Sequence, residues 1–472
     1  MKEFVFFGTG DRGKKLYKLF RHYGIDIKYW VDSDKRKWNK KIEGKTVYPP
    51  YQIQSRKDIK VCVSAMDISG EMYQAILSYG IPPCNIYTFY EAVTECVSCN
   101  INKEEWDNDT EHQCIILDCS NGLVLGGVES WSISMLQGLT QRKYEAYLIS
   151  PYGEYQVEKA VKERTIWLNS EQRESFGWES LEHISEVLRH KMPCVFVSSV
   201  VNDSLLAACS LKKKYPEKIC VISVVHQEGF LIYKEYSELN HYIDKYIAVS
   251  RDIQNEMIRR GIKEEKVLHM TCPVKYIEPY KRGYSLNDVK PLKIGYAGRI
   301  ECFQKRLDCL EHILKELERR HTNYQVEIAG DGNYLQQLKE EVKNLGLMGK
   351  VKFVGKIKRT EIPEFWTRQD ICINLSDFEG RSISVMEAMA NGAVPIVTET
   401  SGVREDIEDG VNGYIVSIGD YVTMAGRIDH LSEHRELLKQ FGDRAHDVMA
   451  QKGNMDKHMD FWNTILQRLW NK

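Results

Sequence analysis

The chain has 472 residues, so at roughly 150 residues per domain it should form about three domains, each long enough to bury its own core. Hydrophobic residues make up 43% and charged residues 28%, with 32 glycines, which excludes collagen-like, coiled-coil and disordered classes. The 65 lysines and arginines nearly cancel the 67 aspartates and glutamates, and a formal charge of -2 gives no long-range field for gathering nucleic acid.

In chain order, a strand from Phe4 to Phe7 leads into the turn GTGDRG, an amphipathic helix carrying Leu16, Leu19 and Phe20, and a second strand, IKYWVD. Further strands are expected at Val61 to Ala65 and Ile86 to Phe89, flanking the segment Glu71 to Tyr79, so residues 1–97 read as a small Rossmann-like unit. Gly8, Gly10 and Gly13 follow a strand directly, and Asp32 closes the next strand nineteen residues beyond Gly13. That spacing meets the dinucleotide fingerprint, in which glycines admit a pyrophosphate and the acid holds a ribose. Taken alone it would make an NAD(P)-dependent sugar-modifying oxidoreductase. No catalytic Tyr-Lys or His constellation accompanies it, so an accessory nucleotide-binding or assembly domain is the favoured reading.

Residues 98–113 are polar, without apolar periodicity, and read as a linker. A second strand and helix array spans 114–285, with strands at Cys114 to Asp118, Tyr147 to Ser150, Cys194 to Val197, Ile219 to Val225 and Tyr246 to Val249. The third array, 286–452, has strands at Leu292 to Ala297, Gln325 to Ala329, Val351 to Val354, Ile371 to Leu375, Val394 to Thr398 and Tyr414 to Val416. Residues 453–472 form one more amphipathic helix, with Phe461, Trp462, Ile465 and Leu469 on a stripe that must dock elsewhere. The fold class expected is therefore α/β, with three Rossmann-like domains, the last two forming a pair around a cleft.

The 13 cysteines are scattered and mostly inside apolar runs, which reads as reduced thiols in a core. Cys96 and Cys99 have CxxC spacing without a second pair, so no metal site is expected there. Asp32-Ser33-Asp34 and Asp107-Asn108-Asp109 spell DxD but lie in the first array and the linker, and read as incidental. The amino terminus is too short in apolar residues for a signal peptide, and no run approaches the roughly 18 needed to span a bilayer. A cytoplasmic protein, at most peripheral on a membrane, is expected.

Glycine and charge clusters fall repeatedly where strands end. NGLVLGGVES follows Asp118, His226 follows Val225, GRIECFQKR follows Ala297, GDG follows Ala329, and SDFEGRSISVMEAMA follows Leu375. In open α/β sheets that edge takes the ligand, because helix N-termini with unpaired N–H groups meet there. Arg299 and Lys305, six apart in a glycine-led loop, suit a diphosphate, although such a pair is more often a solvated basic loop. Glu379 is expected in the loop and Glu387 eight residues on, inside the helix and about 80° round from it, so both could line one ligand. The bland alternative for Glu387 is a capping box with Ser384, three residues earlier.

The third array resembles the nucleotide-sugar-binding domain of glycosyltransferase family 4, the retaining enzymes of the GT-B fold. The matching residues are GYAGRI with Lys305, VEIAGDG, VKFVG, FEGRSISVMEAMANGAVPIV, TSGVREDI and DGVNGYIV, in order over about 130 residues. The second array is similar to the family's acceptor half through GGVES, VVH and YIAVS before the helix DIQNEMIRRG. The resemblance implies a UDP- or GDP-sugar donor, no required cofactor or metal, and a glycan, lipid-linked or protein acceptor. It implies that Arg299 and Lys305 hold the diphosphate, Glu387 the ribose, Glu379 the transferred sugar, and that His226 sits near the reacting centre. Gly126, Gly127, Gly298, Gly330, Gly355, Ser382, Ile383 and Ser384 would complete the donor site. Arg306 departs from the family's usual glycine after the lysine. A degenerate GT-B binding protein is disfavoured because the four charged residues are all present, while homo-oligomerisation and peripheral membrane contact stay open.

Overall fold

The computed structural model describes residues 3–64, 70–101, 114–119, 122–123, 126–151, 157–168, 177–278, 280 and 282–470. They build three sheets. The first comprises β1 (Glu3–Phe7), β2 (Ile27–Val31), β3 (Lys41–Ile42), β4 (Lys45–Tyr48), β5 (Ile59–Val63) and β6 (Ile86–Tyr87), in the order β3-β4-β2-β1-β5-β6. Only β3 and β4 pair antiparallel. The second comprises β7 (Cys114–Asp118), β8 (Ala146–Ser150), β9 (Thr165–Trp167), β10 (Cys194–Ser198), β11 (Ile219–Val225), β12 (Lys245–Ala248) and β13 (Val267–His269). All are parallel, in the order β13-β12-β11-β10-β7-β8-β9. The third comprises β14 (Leu292–Ala297), β15 (Tyr324–Ala329), β16 (Val351–Gly355), β17 (Ile371–Asn374), β18 (Val394–Thr398) and β19 (Tyr414–Val416), all parallel, in the order β16-β15-β14-β17-β18-β19.

The expected strand at Ile86 to Phe89 stops at Tyr87, and Phe89–Asn100 is a helix. The Thr88 hydroxyl accepts from the Glu91 N–H while the Glu91 carboxylate accepts from the Thr88 N–H, a reciprocal cap that stops the strand and starts the helix. Phe89, Ala92, Val93, Cys96 and Val97 are buried at helical spacing. Cys96 is buried and Cys99 exposed on this helix, so the CxxC spacing does not gather two thiols in one environment. The short strands β3, β4, β9 and β13 went unread in the sequence because each is two to four residues long. Ala65 and Asp107 to Asp109 lie outside the described residues.

The first sheet buries one face in a core of its own, around Val5, Val31, Val61 and Ile86. Its other face shares one continuous core with the second sheet. The helix Asp203–Lys214 explains why. Its residues from Asp203 to Leu211 are all buried, and a helix buried all round needs cover on its outer side. Phe89–Asn100 supplies that cover, with Glu95 taking both Lys60, at 2.9 Å, and Lys213, and with Tyr90 donating to Glu235 at 2.5 Å. The helix Met455–Trp470 lies on the helix Gly127–Gln141, where Met459 fills the space left by Gly138 and Arg142 pairs with Asp460 at 2.7 Å.

A chain beginning at Cys114 would expose the apolar side of Asp203–Lys214 to water. Size-exclusion chromatography is expected to show it aggregated where the full chain is not; a soluble fragment with an unchanged melting temperature would show that the first domain adds no cover.

Candidate functional site

The second and third sheets reverse strand order between β7 and β10 and between β14 and β17. Ligands of open α/β sheets bind outside the carboxyl ends at such points. Across the seam between these domains, the place where a Cβ on Gly380 would sit is 2.0 Å from the His226 carbonyl oxygen and 2.9 Å from the Gln227 nitrogen. Only a residue without a side chain allows that approach. The corresponding point on Gly127 is 3.4 Å from Cδ1 of Ile383, ordinary van der Waals contact. Gly127 opens a fifteen-residue helix and Ile383 an eight-residue one, so two helix N-termini meet across the cleft. Polar ties flank them. Ser250 and Ser401 hydroxyls are 3.0 Å apart, the Arg251 N–H donates to Glu405 at 2.6 Å, and the Gly402 N–H donates to Asp252 at 3.0 Å. Buried Arg381 donates to the Val249 carbonyl at 2.9 Å and to both oxygens of Asp406.

The expected cations lie in one network. Lys305 Nζ reaches Glu379 Oε1 at 2.5 Å, which also accepts from Ser376 Oγ at 2.8 Å. Arg299, on an exposed side chain, donates to Gln304 Oε1 at 2.5 Å, and Gln304 Nε2 donates to the Phe378 carbonyl at 3.0 Å and to Glu379 Oε2 at 3.4 Å. Gln304 is therefore the buried link between Arg299 and Glu379, and sequence reasoning missed it because it weighed only the charges of FQKR. Arg306 has φ +51°, the left-handed region that favours glycine, and Asp377 at 2.8 Å and Asp308 at 3.1 Å hold its guanidinium. Two ion pairs thus keep an arginine where a glycine would be at ease.

The helix begins at Ile383, with Glu379 in the loop before it and Glu387 inside it. The capping box does not form. Ser382 is the N-cap, taking a hydrogen bond from Asn374 at 3.1 Å, and Ser384 donates to the Ala297 carbonyl at 2.6 Å. Glu387 instead lines a narrow interdomain crevice with Ser130, Trp131, Lys275, Arg359 and Ile383. Burial pushes its carboxyl up to about 7, with Arg359 opposing the shift, and Arg359 itself donates across the seam to Ser134. His226 follows β11 with Trp131 edge-on at 4.9 Å, and its buried Nε2 has no partner among the described residues. Burial pushes it down to about 3, with His458 adding to the shift, so the imidazole is neutral.

Gly298 and Gly330 follow β14 and β15 directly, and Gly355 is the last residue of β16. A Cβ on Gly330 would lie 1.9 Å from the Gly298 carbonyl oxygen, and the Gly355 carbonyl accepts the Gly330 N–H at 2.8 Å. Their shared geometry is backbone stacking along the carboxyl edge. Gly126 is the N-cap before Gly127. In the first domain, Gly8 and Gly10 turn the chain into its helix and Gly13 lies against the Gly8 carbonyl, as the fingerprint requires. Asp32, however, accepts from the Thr9 N–H at 3.0 Å, from the Thr9 hydroxyl, from Lys37 at 2.9 Å and from the Asp34 N–H at 2.9 Å. The acid expected to receive a ribose is saturated by its own chain. Among the described residues no group of three His, Cys, Asp or Glu could hold a metal ion, and no helix is long and apolar enough to cross a membrane.

Paired parallel sheets with facing carboxyl edges are the GT-B fold, the architecture of glycosyltransferases. Residues 280–448 match the family model "glycosyl transferases group 1". The chain is 23% identical over 276 residues to N-acetyl-alpha-D-glucosaminyl L-malate synthase of Bacillus anthracis, covering 55% of this chain and 71% of that one. It is 25% identical over 280 residues to lipopolysaccharide 1,6-galactosyltransferase of Salmonella typhimurium, covering 56% and 73%. Among solved structures, Anabaena HepE in complex with UDP and glucose superposes with a TM-score of 0.63 at 17% identity, covering 75% of this chain and all of that one. Fold and domain match together support a GT-B glycosyltransferase.

Replacing Gly380 with alanine drives a methyl into the His226 carbonyl, so the domains must part. Displacement by about 1 Å is expected to lower turnover on the order of 100-fold while circular dichroism stays unchanged; wild-type turnover would mean that the seam does not set the working geometry.

Proposed function

We propose that the protein is a retaining glycosyltransferase of the family 4 type, moving a sugar from a UDP-sugar to a glycan, lipid-linked or protein acceptor in surface polysaccharide or glycoconjugate synthesis. The observation that carries this reading is the meeting of two helix N-termini at Gly127 and Ile383, beside the Lys305–Glu379 pair. Partial positive charge from both termini suits the diphosphate that departs as the glycosidic bond breaks. UDP is preferred to GDP because HepE holds UDP. Lys305 and Arg299 would meet the developing charge, with Gln304 orienting Arg299. Glu379 would accept hydrogen bonds from the transferred sugar, Glu387 from the ribose, and the neutral His226 would donate to a sugar hydroxyl or accept from one. Retention would follow attack from the face the diphosphate leaves. The protein would work in the cytoplasm or on the cytoplasmic face of a membrane, and its first domain is an accessory brace rather than a dinucleotide site, since Asp32 is occupied by Thr9 and Lys37.

Incubation with a panel of UDP- and GDP-sugars, read by thermal shift and by nucleoside diphosphate release, tests the reading. Stabilisation by none of them overturns it. Lys305→Ala is expected to lower turnover on the order of 100-fold, the cost of one lost charge-stabilising donor; an unchanged rate with the fold intact would remove Lys305 from that role.

Glu387 supplies a pH dependence. Its carboxyl is raised to about 7, so it is protonated below that pH and ionised above it. The ionised form is the better acceptor for ribose hydroxyls, so the donor KM should rise as pH falls through about 7. Glu387→Gln should give a high KM that no longer varies with pH; a wild-type KM that is flat between about pH 6 and about pH 8.5 contradicts this role.

A further inference from the structure

Arg359 opens the short turn Arg359–Glu361, between β16 and the helix Ile362–Thr367, and so belongs to the carboxyl edge of the third sheet. Its guanidinium crosses the seam and donates to the hydroxyl of Ser134. Ser134 is buried on the helix Gly127–Gln141 of the second domain, one turn beyond Ser130, and both serines face the crevice that Glu387 lines. The crevice is about 10 Å³, barely room for one water molecule, whereas small-ligand sites span about 300–1,000 Å³. A nucleoside therefore reaches Glu387 only if the two walls separate. Among the described residues, no other hydrogen bond joins the crevice residues of the helix Gly127–Gln141 to the third domain.

Two opposite charges line this crevice without meeting. Neither Arg359 nor Glu387 forms an ion pair among the described residues, although both are half-buried. The guanidinium has five donors, and its one side-chain partner is a neutral hydroxyl. Arg306 and Arg381 of the same domain are each held by two carboxylates instead. Taking a cation out of water without a counter-charge is unfavourable, so Arg359 stands where a further acceptor would complete it. The walls beside it, Pro273, Val274, Ile362 and Pro363, are apolar and suit the faces of a flat ring.

We propose that Arg359 is a specificity-determining residue for the donor base, held in reserve on Ser134: as the nucleotide-sugar enters, the guanidinium leaves the serine for a carbonyl oxygen of the base. This rests on the glycosyltransferase reading above, with Glu387 at the ribose. A guanidinium only donates, so uracil, with two carbonyl oxygens, offers it more than cytosine, in which an amino group replaces one of them. Ser134 and the donor compete for the same cation. The domains part at the crevice at the cost of one hydrogen bond, which the base then replaces, and the apparent affinity for donor is lowered by the fraction of molecules in which the serine holds the arginine.

The test titrates the full chain with UDP and with CDP by calorimetry, as wild type, Ser134→Ala, Arg359→Ala, Arg359→Lys and the double alanine variant, with folding checked by circular dichroism. Ser134→Ala is expected to bind UDP about fivefold more tightly, the release of one hydrogen bond of ordinary net strength. Arg359→Ala should bind UDP about tenfold more weakly and lose most of the wild-type preference for UDP over CDP. Arg359→Lys, which keeps the charge but not the planar fork, should fall between, and with Ser134→Ala it carries the test if Arg359→Ala does not fold. Because Ser134 acts only through Arg359, the double variant should bind UDP as Arg359→Ala does. The proposal is overturned if Ser134→Ala binds UDP no more tightly than wild type, if Arg359→Ala or Arg359→Lys matches wild type, or if Ser134→Ala gains affinity in the Arg359→Ala background as well. A UDP preference that is absent from wild type, or that survives in Arg359→Ala, also overturns it. Wild-type protein that binds neither UDP nor any UDP-sugar defeats the donor reading itself, and this role falls with it.

Discussion

Gly380 lies against the His226 carbonyl, and much of the cleft geometry depends on that absence of a side chain. The residues on either side are fixed by it. Glu379 is buried within reach of Lys305, Ser376 and Gln304, and Arg381 is buried in an interdomain cluster with Asp406, Glu405 and the Val249 carbonyl. Burying a guanidinium is costly unless its donors are filled, and here both domains fill them. The Ile383 helix begins two residues later, so its N-terminus is delivered to Gly127 by the same short loop.

The third domain holds its charges by exchange rather than by exposure. Lys305 is joined to Glu379, Arg299 to Gln304, and Arg306 to Asp377 and Asp308. A nucleoside diphosphate entering this loop would compete for donors already in use, so its charge would be met by a redistribution of hydrogen bonds within a preorganised network. Arg306 is the clearest case of local strain offset by tertiary contact, since its left-handed backbone is held by two carboxylates from different parts of the chain.

Two helices outside the paired sheets brace the second domain. Phe89–Asn100 covers the otherwise open face of Asp203–Lys214, and Met455–Trp470 lies over Gly127–Gln141. Through the second of these, Trp462 stands 6.2 Å from Trp131, which in turn meets His226 edge-on. His458 fixes that arrangement, with Nδ1 donating to the Thr271 carbonyl at 3.0 Å and Nε2 accepting from the Trp462 indole at 3.1 Å. The last helix of the chain is thus linked by packed rings to a residue at the centre of the cleft.

The three sheets were legible in the sequence because apolar runs such as Cys114 to Asp118 and Ile371 to Leu375 are buried on both faces, and glycine clusters mark where they end. The short strands β3, β4, β9 and β13 were not, since two to four residues carry no period. Motif spacing brought out Lys305, Glu379, Glu387 and His226 but could not say what each faces. That Glu379 is paired while Glu387 is left in a crevice, that Ser384 turns to the Ala297 carbonyl instead of capping, and that Asp32 is closed by Thr9 and Lys37 all depend on partners far away in the chain. Residue type and local periodicity determine which elements form and which edge they present. Burial, charge pairing and the approach of one domain to another exist only once the chain has folded, because Lys305 meets Glu379 across 74 residues and His226 meets Gly380 across a domain boundary.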